Sequence, residues 1–178
     1  LQWRAPGKRW VLKSPQHMWH LQHIHREYPD ALFVQTHRDP LRIVASMSNL
    51  AATLHGLASD HVDLPAIANY NAQALARGYN NTVAYRKSGK LADEQVIDVY
   101  FQDFRGDQVG TLRRAYQHFG FELQDSAAAA MQSFLAKNPA DKHGRHVYSL
   151  DDTRLDERRV RGLFSDYQSY FNIHNEQD

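Results

Sequence analysis

Leu32-Phe33-Val34-Gln35-Thr36-His37-Arg38-Asp39-Pro40, continued through Leu41 to Ser46, is the stretch that decides the fold. Its first half is apolar and β-prone, as a buried parallel strand is, and predicts a strand over roughly Ala31 to Thr36. Its second half opens a helix. Asp39 is a good N-cap and Pro40 suits the first helical position. Leu41, Val44, Met47 or Ser48, and Leu54 follow at helical spacing, so the helix is expected from Pro40 to about His55.

A strand that runs straight into a helix leaves its last residues at the carboxyl edge of the sheet, where open α/β sheets bind ligands. Arg38 stands at that edge, and a guanidinium there can grip a phosphate in bidentate fashion. Ser46 follows about two helical turns later, and its hydroxyl can bond the same phosphate if the helix lies alongside. By spacing alone, an Arg–Asp surface pair and a helix serine chosen for size is the commoner reading of the two residues.

Upstream, Trp10-Val11-Leu12 is short, apolar and suited to a strand, with Lys13 at its carboxyl end. Ser14 can cap the next helix, with Pro15 at its first position. Met18, Leu21 and Ile24 give that helix an apolar stripe, and Pro29 closes it near Tyr28. Two strands joined through one helix make a right-handed βαβ unit the expected topology. Downstream, Asp63 and Pro65 start a long helix that ends at Ser88-Gly89, with Ile67, Tyr70, Ala74 and Leu75 marking its buried side.

Gln95 to Phe101 is the third expected strand, with Asp98 near an end or satisfied by a neighbour. Asp107 caps a helix carrying Val109, Leu112 and Tyr116, which Gly120 stops. Asp125 to Ala136 reads as a short helix. Lys137 to Tyr148 has loop character and is dense in Lys, His and Arg. Asp156 to about Tyr170 is a final amphipathic helix with Val160, Leu163, Phe164 and Tyr167. The alternation of strands and helices says α/β with a parallel sheet, although three strands are few for such a fold.

The chain has 178 residues, enough for one domain with a real core. A formal net charge of +1 argues against electrostatic capture of nucleic acid or a membrane surface. There are no cysteines, which excludes disulfides, thiolate metal sites and a Cys nucleophile. That fits a reducing compartment, and a cytoplasmic location is the expectation. No apolar run reaches transmembrane length and no signal peptide is visible. His17, His20, His23 and His25 share faces only pairwise on their helix and cannot converge on one ion, so no metal is expected.

Taken together, the strand, the Arg38-Asp39-Pro40 turn and Ser46 eight positions after Arg38 resemble a known signature. It is the 3′-phosphate-binding signature of sulfotransferases that use 3′-phosphoadenosine 5′-phosphosulfate (PAPS). Trp10-Val11-Leu12-Lys13-Ser14-Pro15 before it and Val99-Tyr100-Phe101-Gln102-Asp103-Phe104 after it resemble the bacterial-type branch of that family. The resemblance runs from about Trp10 to about Phe171, and is specific as an ordered set of motifs rather than through any one of them.

The resemblance implies a P-loop-NTPase-like parallel sheet flanked by helices, with Arg38 and Ser46 on the 3′-phosphate. Lys13 matches the family's lysine that touches the sulfate or its bridging oxygen, where positioned positive charge assists transfer. The family's basic histidine would fall at Pro15; His17, two residues on, is the candidate base in a shifted register. Phe101 matches a position near the nucleotide that is often Tyr, without supplying the hydroxyl. Gln108 stands where the family usually has Pro. Lys142-His143-Gly144-Arg145 resembles the late basic loop that closes over the nucleotide, and is equally a solvated basic loop.

The family also needs a Gly- and Ser/Thr-rich loop that cradles the 5′-phosphosulfate with backbone amides. Neither Gly-x-x-x-x-Gly-Lys-Ser/Thr nor Arg/Lys-x-Gly-Ser/Thr occurs in the chain. The expectation is therefore a single amino-terminally truncated sulfotransferase-like domain, residues 1–178, lacking its first strand and phosphosulfate loop. The expected reaction is transfer of a sulfuryl group from PAPS to a hydroxyl or amine of a small-molecule, lipid or carbohydrate acceptor, releasing adenosine 3′,5′-bisphosphate. Alternatives are a non-catalytic nucleotide-binding or interaction domain of the same descent, and a P-loop kinase.

Overall fold

The computed structural model describes residues 4, 7, 9–139 and 150–176. In chain order the main elements are α1 (His17–Glu27), β1 (Phe33–His37), α2 (Pro40–Gly56), α3 (Leu64–Lys87), β2 (Val96–Tyr100), α4 (Phe101–Gly106), α5 (Gln108–His118), α6 (Asp125–Lys137), α7 (Glu157–Leu163) and α8 (Ser165–Phe171). The two strands pair in parallel, in a register running from Phe33 opposite Val96 to His37 opposite Tyr100. The fold is thus mixed α/β: a small parallel sheet with many helices around it.

The helix starts follow from their caps. Asp39 accepts from the Leu41 N–H at 2.9 Å, Asp63 from Ala66 at 3.0 Å and Asp107 from Gly110 at 2.8 Å. Each carboxylate satisfies an amide that the helix leaves unpaired. Pro40 and Pro65 occupy first-turn positions, where no N–H is missed. The turn that closes α5 passes through Gly120, whose φ of 71° is the left-handed value that glycine adopts freely.

The core forms where α2 and α3 pack together under α7 and α8. Leu41 and Val44 meet Ala72, Leu75, Ala76, Tyr79 and Val83, with Val160, Phe164, Tyr167 and Phe171 closing the other side. α1 crosses α3 at close range: a Cβ on Gly78 would lie 2.8 Å from Trp19 Cε2. The crossing is stitched by the Trp19 indole donating to the Ala74 carbonyl at 3.0 Å and the Thr82 hydroxyl donating to the Met18 carbonyl at 3.0 Å.

The structure departs from several of the sequence expectations. Trp10-Leu12 is not a strand. Val11 and Leu12 are 92% and 64% exposed, and a strand exists only where a neighbour takes its ladder bonds. The parallel partner of β1 is instead β2, reached through α2 and α3. Phe101 opens α4 rather than closing β2. The final helix is two helices, broken at Phe164 just after Gly162, a poor helix former. On α3 the buried stripe is Ala68, Ala72, Leu75, Ala76, Tyr79 and Val83, whereas Tyr70 is exposed. On α2, Leu41, Val44 and Ser48 face inward and Leu54 is exposed.

Candidate functional site

Beneath the carboxyl end of β1 lies a buried polar network that holds the strand in place. His37, with its side chain fully buried, donates from Nε2 to Asp98 Oδ1 at 2.9 Å. Arg86 reaches across from α3 and grips the same carboxylate with two nitrogens, each at 2.9 Å, while also donating to the Gln35 side chain. Burial works to raise the Asp98 pKa, but the hydrogen bonds and charges of His37 and Arg86 outweigh it and bring it down to about 2.

An ionised Asp98 only accepts, so the imidazole Nε2 carries a proton, and Nδ1 pairs with the Tyr167 hydroxyl, 3.1 Å away. Burial and the neighbouring Tyr79 push the Tyr167 phenol far above its ordinary value, against the pull of the Arg38 backbone N–H. Tyr167 therefore stays un-ionised. The ring of Phe171 packs 4.3 Å from the imidazole, with Tyr100 at 5.3 Å, so the residue before Arg38 is clamped by apolar and polar contacts together.

Arg38 rises from this base. Its guanidinium lies 4.0 Å above the Phe101 ring, at the mouth formed by the ends of β1 and β2. Its Nε and Nη2 edge is closed by Glu176, with Nε to Oε1 and Nη2 to Oε2 each 3.0 Å. The Glu176 backbone N–H in turn donates to Asp39 Oδ2 at 2.8 Å, tying the segment after α8 to the N-cap of α2. A second guanidinium, Arg105, approaches the Phe101 ring at 6.0 Å.

The tertiary structure brings Arg38 and Phe101 together. Ser46 is half-buried on α2; Lys13 is exposed before α1; His17 is the first residue of α1 and half-buried. None of these three makes a side-chain hydrogen bond with Arg38 or Phe101 among the described residues. Lys142, His143, Gly144 and Arg145 lie outside the described residues. Two surface hollows are lined by other groups: one of about 550 Å³ by Asp60, His61, Asp63, Asp152 and Arg154 among others, and one of about 50 Å³ at the end of β2 by Tyr100, Asp103, Thr111 and Arg114 among others. Among the described residues no three His, Cys, Asp or Glu side chains converge as metal ligands do, and no helix is long and apolar enough to cross a membrane.

Chemically, Arg38 is an anion grip. Its planar fork already holds one oxyanion through two parallel bonds, and the same edge matches two oxygens of a phosphate. The sequence gives no hint of Glu176, because the two residues are 138 positions apart. His37, Asp98 and Arg86 are also missed as a unit, although a charged residue in the middle of a strand pattern marks a place where a buried partner is required.

A family model described as the sulfotransferase family matches residues 1–125, and the chain belongs to that family. It is 27% identical over 155 residues to the omega-hydroxy-beta-dihydromenaquinone-9 sulfotransferase Stf3 of Mycobacterium bovis and to that of Mycobacterium tuberculosis, a match covering 82% of this chain and 37% of each relative. The crystal structure of sulfotransferase STF9 from Mycobacterium avium superposes with a TM-score of 0.86 at 26% identity, over 99% of this chain and 45% of that one. That of STF1 from Mycobacterium tuberculosis gives 0.66 at 32% identity, over 91% and 40%. The chain thus spans less than half the length of the proteins that it resembles.

Proposed function

We propose that this chain is the part of a PAPS-dependent sulfotransferase domain, P-loop-like in fold, that holds the 3′-phosphate end of the donor. The observation that carries this proposal is the Arg38 guanidinium, mounted on Phe101 at the sheet's carboxyl rim and gripping an oxyanion edge-on, in a chain of the sulfotransferase family. The Glu176 carboxylate stands in for the two phosphate oxygens that this edge is suited to bind, so the donor set fits the group.

Arg38 and Ser46 hold the 3′-phosphate, and Phe101 packs against the nucleotide. Bound PAPS supplies an activated sulfuryl group. Lys13 places positive charge beside the bridging oxygen, and His17 takes the proton from the attacking acceptor. No metal takes part. The phosphosulfate loop, together with the first strand of the sheet, belongs to the part of the fold that this chain does not span.

We also propose a hydroxylated, apolar acceptor. The Stf3 relatives are named for a hydroxylated dihydromenaquinone. Beyond Ser46, Leu50 and Leu54 on α2 and Leu57 at its C-cap are 52%, 56% and 81% exposed and follow one another at helical spacing. Such a strip suits a lipid-like molecule better than a sugar.

Isothermal titration with adenosine 3′,5′-bisphosphate tests the donor assignment. Binding that falls at least about tenfold in Arg38→Ala is the expected result, as loss of a bidentate charge-assisted contact implies. Equal affinity in wild type and Arg38→Ala sinks it, and Mg²⁺-dependent binding of ATP in place of the bisphosphate points to a kinase instead.

A further inference from the structure

We propose that the segment following α8 is a built-in competitor for the nucleotide: Glu176 fills the edge of Arg38 that a phosphate takes, and its side chain swings out when the nucleotide enters. This regulation rests on the assignment of Arg38 to the 3′-phosphate.

The segment is positioned deliberately. Asn172 adopts a left-handed φ of 52° at the C-terminal cap of α8 and turns the chain there. The Ile173 N–H donates to the Gln168 carbonyl at 2.9 Å, and the Ile173 side chain is buried. The Asn175 carboxamide oxygen accepts from the Arg161 guanidinium and from Gln168. The Glu176 N–H is held by Asp39, which is also the N-cap of α2 and a partner of Arg161. Every anchor up to the Glu176 amide is independent of the Glu176 carboxylate.

That independence is what allows a gate. The backbone stays docked while the side chain rotates, so release costs only the Arg38 contacts. Those contacts are better than an ordinary surface pair. Glu176 and Arg38 side chains are 15% and 35% exposed, and the pairing is bidentate. A doubly charged phosphate outmatches a singly charged carboxylate for the same fork, so nucleotide displaces the strap, but its apparent affinity is reduced by the fraction of molecules in which Arg38 is free. A ligand without a 3′-phosphate has no need of Arg38 and feels no competition.

The test is titration of adenosine 3′,5′-bisphosphate and adenosine 5′-monophosphate into wild type, Glu176→Gln, Glu176→Ala and Arg38→Ala. The expected result is tighter bisphosphate binding, by about fivefold, in both Glu176 variants, with 5′-monophosphate binding unchanged and Arg38→Ala weakened. Bisphosphate binding that appears only in the Glu176 variants supports the strap equally. Unchanged or weaker binding in the Glu176 variants, alongside a weakened Arg38→Ala, overturns the strap and leaves the donor assignment standing. Bisphosphate binding indifferent to Arg38→Ala, or undetectable in wild type and in both Glu176 variants, overturns the donor assignment and the strap together.

Discussion

Asp98 on β2 and His37 on β1 meet on one face of the parallel pair, carboxylate oxygen to imidazole nitrogen at 2.9 Å. Every stabilising consequence of this contact depends on Asp98 staying ionised, since a neutral carboxyl would lose both the Arg86 fork and the imidazole.

Acid should therefore unpick the sheet. The folded-state pKa of Asp98, brought down to about 2 from 3.8, lies below that of the unfolded chain. The contribution is thus fully present above about pH 4 and lost as pH falls through about 2, amounting to about 2 kcal/mol. Urea unfolding in steps from pH 5 to pH 2 is expected to show this loss in wild type and a much flatter profile in Asp98→Asn. Equal acid sensitivity in the two proteins would contradict the role given to Asp98.

Tyr167→Phe removes only an oxygen, yet that oxygen is hydrogen-bonded to the His37 Nδ1 and faces the Arg38 backbone N–H. Leaving a buried imidazole nitrogen unpaired costs about 1–3 kcal/mol. The midpoint of urea unfolding should fall accordingly at pH 7, with the urea dependence itself unchanged.

Gly78→Ala is expected to destabilise despite the better helix propensity of alanine. Propensity favours alanine by about 1 kcal/mol, but its Cβ would stand 2.8 Å from Trp19 Cε2 and 3.1 Å from Met18 Cγ. Pushing α1 off α3 breaks the indole bond to Ala74 and costs about 1–3 kcal/mol as overpacking. A thermal melt that rises in this variant would show that α1 is free to shift.

Ser46→Ala should leave stability nearly unchanged and lower affinity for adenosine 3′,5′-bisphosphate by about threefold to tenfold, the worth of one hydrogen bond to a charged group. Paired with Arg38→Ala, it should show less than additive loss, since two groups on one phosphate are coupled. Strict additivity would place Ser46 elsewhere.

Much of the scaffold was legible before any coordinates. Asp39-Pro40, Asp63 with Pro65, and Asp107 announced three helix starts, because capping is decided within a few residues. β1 and Arg38 at its end were visible for the same reason. The strand forecast at Trp10-Leu12 failed because strandedness belongs to a pair, and an apolar triplet without a neighbour has nowhere to place its amides. Leu75 was placed on the buried side of α3 but so was the exposed Tyr70, because several faces of that helix carry apolar residues and only packing against α1, α2 and α8 selects among them.

What the sequence by itself determined is β1, the capped starts of α2, α3 and α5, and the guanidinium set at the carboxyl end of β1, since each of these depends on interactions between near neighbours in the chain. Only the tertiary structure decided that β1 pairs with β2, that His37 is locked between Asp98 and Tyr167, and that Arg38 rests on Phe101 and faces Glu176. Those contacts join residues 61 to 138 positions apart. They arise from how buried charge and apolar surface are satisfied all at once, which no local pattern records.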